Sequence, residues 1–166
     1  MSINPLVEQL YLAKALKDKP LSIDLPYLSF RPDLLSALAR AFEPVISSLD
    51  YDFLFPLELF SVPLATHLSL IYNIPLFLSS KAEGFIRPGQ TALLINVASS
   101  ELAACLDAFK SQDVFVSDAL VLLKPVENQN LGVTLHSLWD IKTLQNDLNT
   151  LLHQNSYSKI HSSAIS

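Results

Sequence analysis

Apolar residues recur in two patterns along the chain. Some form short continuous runs; others recur at three- and four-residue spacing. The run 92–97 reads as a buried strand, and Leu102, Cys105, Leu106 and Phe109 after it mark one face of a helix. The same alternation appears upstream. Residues 52–56 form a strand, Val62-Pro63 opens a helix through Leu64, His67, Leu68, Ile71 and Tyr72, and 74–78 form a second strand. Residues 87–90 read as a turn, 114–123 as a further strand, and 132–136 as a short last one.

The two ends follow the same logic. Asn4-Pro5 caps and starts a helix with Leu6, Leu10, Ala13 and Leu16 on one side, closed by residues 17–20. Residues 21–25 are a short strand. Arg31-Pro32-Asp33 opens a helix carrying Leu34, Leu38, Ala41, Phe42 and Val45, which Pro44 kinks or splits. Asp140 caps a final helix with Ile141, Leu144, Leu148 and Leu151 inward. This order predicts an α/β fold: a mostly parallel central sheet with helices on both faces. It forms a single domain over 1–153, followed by a Ser-rich tail, 154–166, expected to be disordered.

Composition narrows the partners. Of 166 residues, 50% are hydrophobic and 16% charged, which describes a packed chain rather than a disordered one. No apolar run is long enough for a membrane span, and Met-Ser-Ile-Asn-Pro is no signal peptide, so a cytoplasmic location is expected. A net charge of −5 without a basic run argues against nucleic acid. The single cysteine, Cys105, lies on an apolar helix face and reads as an inert buried thiol. His67 and His136 read as structural. His153 and His161 have no metal-ligand spacing, so neither metal nor cofactor is expected.

Three glycines against ten prolines leave little means of building glycine-rich phosphate loops. The loop after 92–97, a strand–loop–helix junction where α/β proteins often bind phosphate, has no glycine and no acidic pair.

The order of segments resembles orotate phosphoribosyltransferase, a type I phosphoribosyltransferase. The resemblance covers about 21–151 and rests on Ser22-Ile-Asp-Leu25, Arg31-Pro-Asp-Leu-Leu35, Val62-Pro-Leu-Ala-Thr66, Asn73-Ile-Pro-Leu76, Lys81, Arg87-Pro-Gly89, 118–123 and Leu135-His-Ser137. It implies the type I phosphoribosyltransferase fold and a reaction joining orotate to the ribose of phosphoribosyl pyrophosphate with Mg²⁺. Several implied functional positions differ here. The paired acids that contact the ribose are matched by Asn96-Val97, and the 5′-phosphate loop by Ala98-Ser-Ser-Glu-Leu102. The glycine-bearing pyrophosphate turn is matched by Pro56-Leu-Glu-Leu-Phe60, and an orotate-binding arginine by Pro125. The segment 81–89 is too short for the catalytic lid, and 15–20 holds no counterpart of the N-terminal substrate loop.

These differences lead to the expectation of a pseudoenzyme, not an enzyme: a regulatory, scaffold or assembly protein acting through protein contacts, with no catalytic residue. Two alternatives stand beside it. One is a non-catalytic partner subunit of an active orotate phosphoribosyltransferase. The other is an enzyme or ligand-binding protein of altered specificity in nucleotide metabolism. Glu58, Lys81, Asn96, Ser99 and Ser100 cluster at the C-terminal ends of the strands as a vestigial pocket that still admits a small-molecule ligand. Leu57, Leu59, Phe60 and Glu101 form the candidate interaction patch, for a protein partner of unknown identity or for a homodimer.

Overall fold

The computed structural model describes residues 4–18, 21–79, 85–95, 99–124 and 132–163. Its centre is a four-stranded parallel sheet in the order β3-β4-β5-β6, formed by Phe53–Pro56, Thr91–Ile95, Phe115–Lys124 and Thr134–Asp140. The buried-strand run is the spine. β4 pairs with β3 in register Phe53↔Ala92 to Pro56↔Ile95, and with β5 through Leu93↔Asp118 and Ile95↔Leu120.

Side chains alternate across this sheet, as strand geometry requires. Leu54, Leu93, Ile95, Leu120 and Leu122 join the core on one face, beneath helices α1 (Pro5–Leu12), α3 (Pro32–Ala41), α5 (Val62–Tyr72) and α7 (Ile141–Ser163). Phe53, Phe55, Ala92, Leu94 and Ala119 face the other way, against Leu102 and Phe109 of α6 (Ser99–Lys110). Phe109 meets Phe55 edge-on, with ring centroids 4.9 Å apart, the arrangement aromatic quadrupoles favour. Helices therefore cover both faces, as the alternation predicted.

Local chemistry sets the element ends. Asn4 Oδ1 accepts from the Leu6 N–H at 2.9 Å, with Pro5 in the first turn of α1. Pro44 divides the second amphipathic segment into α3 and the short α4 (Glu43–Ile46). Asn73 ends α5 in the left-handed region at φ 53°, which asparagine tolerates. Asp140 caps α7 through the Thr143 N–H at 2.8 Å.

Two expectations need correction. Residues 74–78 do not form a full strand: only Leu76 bridges Leu54, flanked by Leu54 N–H to the Pro75 carbonyl and Phe77 N–H to the Leu54 carbonyl. Pro75 has no N–H to extend a ladder. The first helix stops at Leu12, and Leu16–Asp18 (β1) pairs antiparallel with Leu21–Ile23 (β2) where a helix end was expected; α2 (Leu25–Leu28) follows. α7 runs over Ile141–Ser163.

Candidate functional site

β3 and β4 end level with one another. Pro56 is opposite Ile95, and the Leu57 N–H donates to the Ile95 carbonyl at 3.3 Å. Both strands then lead toward helices: β3 through a 3-10 turn, Leu59–Ser61, into α5, and β4 toward the start of α6 at Ser99. Crevices outside the carboxyl ends of parallel strands are where open α/β sheets bind ligands. Helix starts also supply backbone N–H groups to anions without help from any side chain.

The structure brings most of the expected residues to this edge. Leu57, Glu58, Leu59 and Phe60 follow β3 directly, and Ser99, Ser100 and Glu101 form the first turn of α6. Lys81 and Asn96 lie outside the described residues. Leu59 and Phe60 are exposed, whereas Leu57 and Glu58 are half-buried, so the apolar patch is a rim of two side chains rather than a broad face.

Glu58 has a structural task that its sequence position did not reveal. Its carboxylate accepts from the Ser61 backbone N–H, while the Ser61 hydroxyl accepts from the Glu58 N–H at 3.2 Å and donates to the Glu58 carbonyl at 2.6 Å. This capping box locks the turn after β3. Ser61 is fully buried; its Glu-x-x-Ser spacing inverts the usual Ser-x-x-Glu order of the box, so the residue order alone does not signal it.

β5 and β6 run past the level of Ile95. Leu120 is opposite Ile95, so Lys124 stands about 13 Å further along β5. Lys124 is exposed and pairs in register with Asp140. It closes an apolar run in the sequence and puts a cation at this end of the sheet. No group of His, Cys, Asp or Glu among the described residues is arranged to hold a metal ion. The Mg²⁺ that the resemblance implies would be held largely by the phosphates of its substrate, as Mg²⁺ usually is.

Two histidines are engaged within their own elements or with a neighbouring strand. The His67 Nδ1–H donates to the Pro63 carbonyl at 2.9 Å, one turn back along α5. His136 pairs with Asp118, toward the other end of β5. Cys105 is half-buried, and burial pushes its thiol up to about 11, which keeps it protonated and unreactive at neutral pH.

No protein-family model matches the chain. Two orotate phosphoribosyltransferases are similar in sequence. The one from Caenorhabditis elegans is 30% identical over 119 residues, covering 63% of this chain and 52% of that protein. The one from Chlamydia pneumoniae is 27% identical over 150 residues, covering 77% of this chain and 70% of that protein. The chain thus spans about half the length of the nematode relative. Among solved structures, Leishmania donovani UMP synthase superposes with a TM-score of 0.73 at 18% identity, over 90% of this chain and 42% of that one. The Aeropyrum pernix orotate phosphoribosyltransferase gives 0.70 at 19% identity, over 87% and 99%.

These likenesses overturn the expectation that the chain is not an enzyme, because the relatives are orotate phosphoribosyltransferases, and those are enzymes. The physical reason lies in the loops. Asn96 and Val97, the positions of the acidic pair, lie outside the described residues. The repulsion assigned to Glu58 overlooks a carboxylate directed onto its own turn. Missing glycine does not remove backbone donors from a helix start.

Proposed function

From an orotate phosphoribosyltransferase-like chain with the type I phosphoribosyltransferase fold, we propose an enzyme of nucleotide metabolism that transfers a phosphoribosyl group with altered specificity. The observation that carries the proposal is the level pair of strand ends, Pro56 beside Ile95, with α5 and α6 beginning just beyond them. Supporting it is the sequence likeness to enzymes over 77% of the chain. The start of α6 supplies N–H donors to a phosphate, and Lys124 stands at the far rim for a second negative group. Leu57, Leu59 and Phe60 replace a polar lining with an apolar one, which favours a different acceptor base. Holding developing negative charge with fixed donors is most of what such a transfer requires. The proposal includes a cytoplasmic location, where nucleotide precursors are made.

Calorimetric titration with phosphoribosyl pyrophosphate and Mg²⁺ tests it, alongside pyrophosphate release in the presence of orotate and of other bases. A dissociation constant at or below about 10 μM, about −7 kcal/mol, with release driven by any one base supports the reading. No heat and no release at millimolar substrate overturns it.

A second reading draws on the same rim. Leu59 is 78% exposed and Phe60 50%, adjacent apolar side chains that a protein partner or a second copy of the chain would cover. Light scattering of the purified chain tests the homodimer directly.

A further inference from the structure

We propose that Ser61 is a positioning residue: its buried hydroxyl fixes Leu59 and Phe60 as the wall against which the acceptor base of the proposed transfer lies. This role rests on the strand ends being a phosphoribosyl-transfer site and adds a residue that decides the acceptor. Ser61 is fully buried and carries the one buried hydroxyl among the described residues. A side chain with no exposed surface touches no ligand, so Ser61 acts through the turn that it closes.

That turn is tied at both ends and held by little in between. On the strand side the Leu57 N–H donates to the Ile95 carbonyl at 3.3 Å. On the helix side both backbone polar groups of Glu58 engage Ser61. The Glu58 N–H donates to the Ser61 hydroxyl at 3.2 Å, and the Glu58 carbonyl accepts from that hydroxyl at 2.6 Å and from the Ser61 N–H at 3.0 Å. A serine hydroxyl is the smallest side chain that donates and accepts at once, which this arrangement demands. Leu59 and Phe60 lie between these two residues. Leu59 is 78% exposed and Phe60 50%, so packing against the core contributes little to where they stand. Their backbone, held by the Glu58–Ser61 bonds, sets it instead. Without the hydroxyl the Glu58 N–H loses that acceptor and the carbonyl that donor, and the turn relaxes toward water to recover them. The apolar wall moves with it, and a displacement of about 1 Å is enough to cost binding and rate in a pre-organised site. The start of α6 and Lys124 belong to other segments and keep their places. The change therefore falls on the acceptor and spares the phosphoribosyl donor.

Steady-state kinetics of the intact chain test this, with phosphoribosyl pyrophosphate and Mg²⁺ against orotate, uracil, adenine and hypoxanthine, read as pyrophosphate release. For whichever base the parent uses, Ser61→Ala should raise the acceptor KM by about tenfold and change the donor KM by less than about twofold. Phe60→Ala should raise the acceptor KM in the same way. The double variant should be no worse than Phe60→Ala alone, because Ser61 acts through that side chain. A serine with a structural role only would lower the yield of active protein and leave both KM values as they are. If Ser61→Ala does not fold, Ser61→Cys, a poorer donor and acceptor in the same place, decides on the same measure. An unchanged acceptor KM, equal changes in both KM values, or additive effects in the double variant overturn the proposal and leave the transferase reading intact. No release from the parent with any of these bases overturns the reading of the site and this proposal with it.

Discussion

His136 of β6 reaches diagonally across the sheet to Asp118 of β5, with Nε2 and Oδ1 2.7 Å apart. In register terms Asp118 is opposite Thr134, and His136 is opposite Leu120. The Asp118 carboxylate also accepts from the Ser117 hydroxyl at 2.6 Å. Burial alone would push Asp118 up, but the Ser117 and His136 hydrogen bonds and the His136 charge outweigh it and hold the carboxyl below its ordinary value.

A depressed carboxylate stabilises the fold above the unfolded-state value of about 3.9 and loses that contribution as pH falls through the lower folded value. Asp118→Asn should cost about 1–2 kcal/mol at pH 7. It should also flatten the loss of stability below about pH 4 relative to the parent. Thermal unfolding of both proteins from pH 7 to pH 3 measures this; parallel curves would show that the pair contributes nothing specific.

Phe109 is fully buried and stacks against two rings, Phe53 at 6.1 Å and Phe55 at 4.9 Å between centroids. It ties α6 to the sheet beside the candidate site. Phe109→Ala should destabilise by about 3–5 kcal/mol through lost burial and the remaining cavity. Urea unfolding gives the value, and a cost under about 1 kcal/mol would mean that α6 is not anchored there.

Burial pushes the Cys105 thiol up to about 11. The neutral thiol is the folded form, so this group opposes folding only as pH rises from the ordinary thiol value toward 11. At pH 8 the folded thiolate fraction is about 10⁻³. Iodoacetamide should modify native Cys105 more than about 100-fold more slowly than the urea-unfolded chain. Similar rates would place the thiol at the surface.

Phe60 is 50% exposed on the turn after β3. Phe60→Asp should leave unfolding nearly unchanged, because a half-exposed loop residue carries little of the core. If the rim joins two copies, the variant should be monomeric at tens of micromolar where the parent is dimeric, as light scattering would show. A parent of monomer mass removes the homodimer, and a dimer that survives the change moves the contact to another surface.

The sequence by itself determined the sheet and the helices that cover it. The stretches 53–56, 92–95 and 119–123, inside the strands read from the sequence, are apolar on both faces, which only a doubly covered strand satisfies. The spacing of Leu102 and Phe109 set the buried face of α6, Asn4 and Asp140 marked helix starts through their caps, and Pro44 marked a break. These signals are local, fixed by the periods of helix and strand. The tertiary structure decided what depends on partners distant in sequence or on the direction of one side chain. Pairing with β2 turned Leu16–Asp18 into a strand. The direction of the Glu58 carboxylate, onto the Ser61 N–H rather than out toward a ligand, became visible only once the turn closed. The join of Asp118 to His136 needed the β5–β6 register. Residue types gave no access to these relations, because each is a distance between chain segments that only packing brings together.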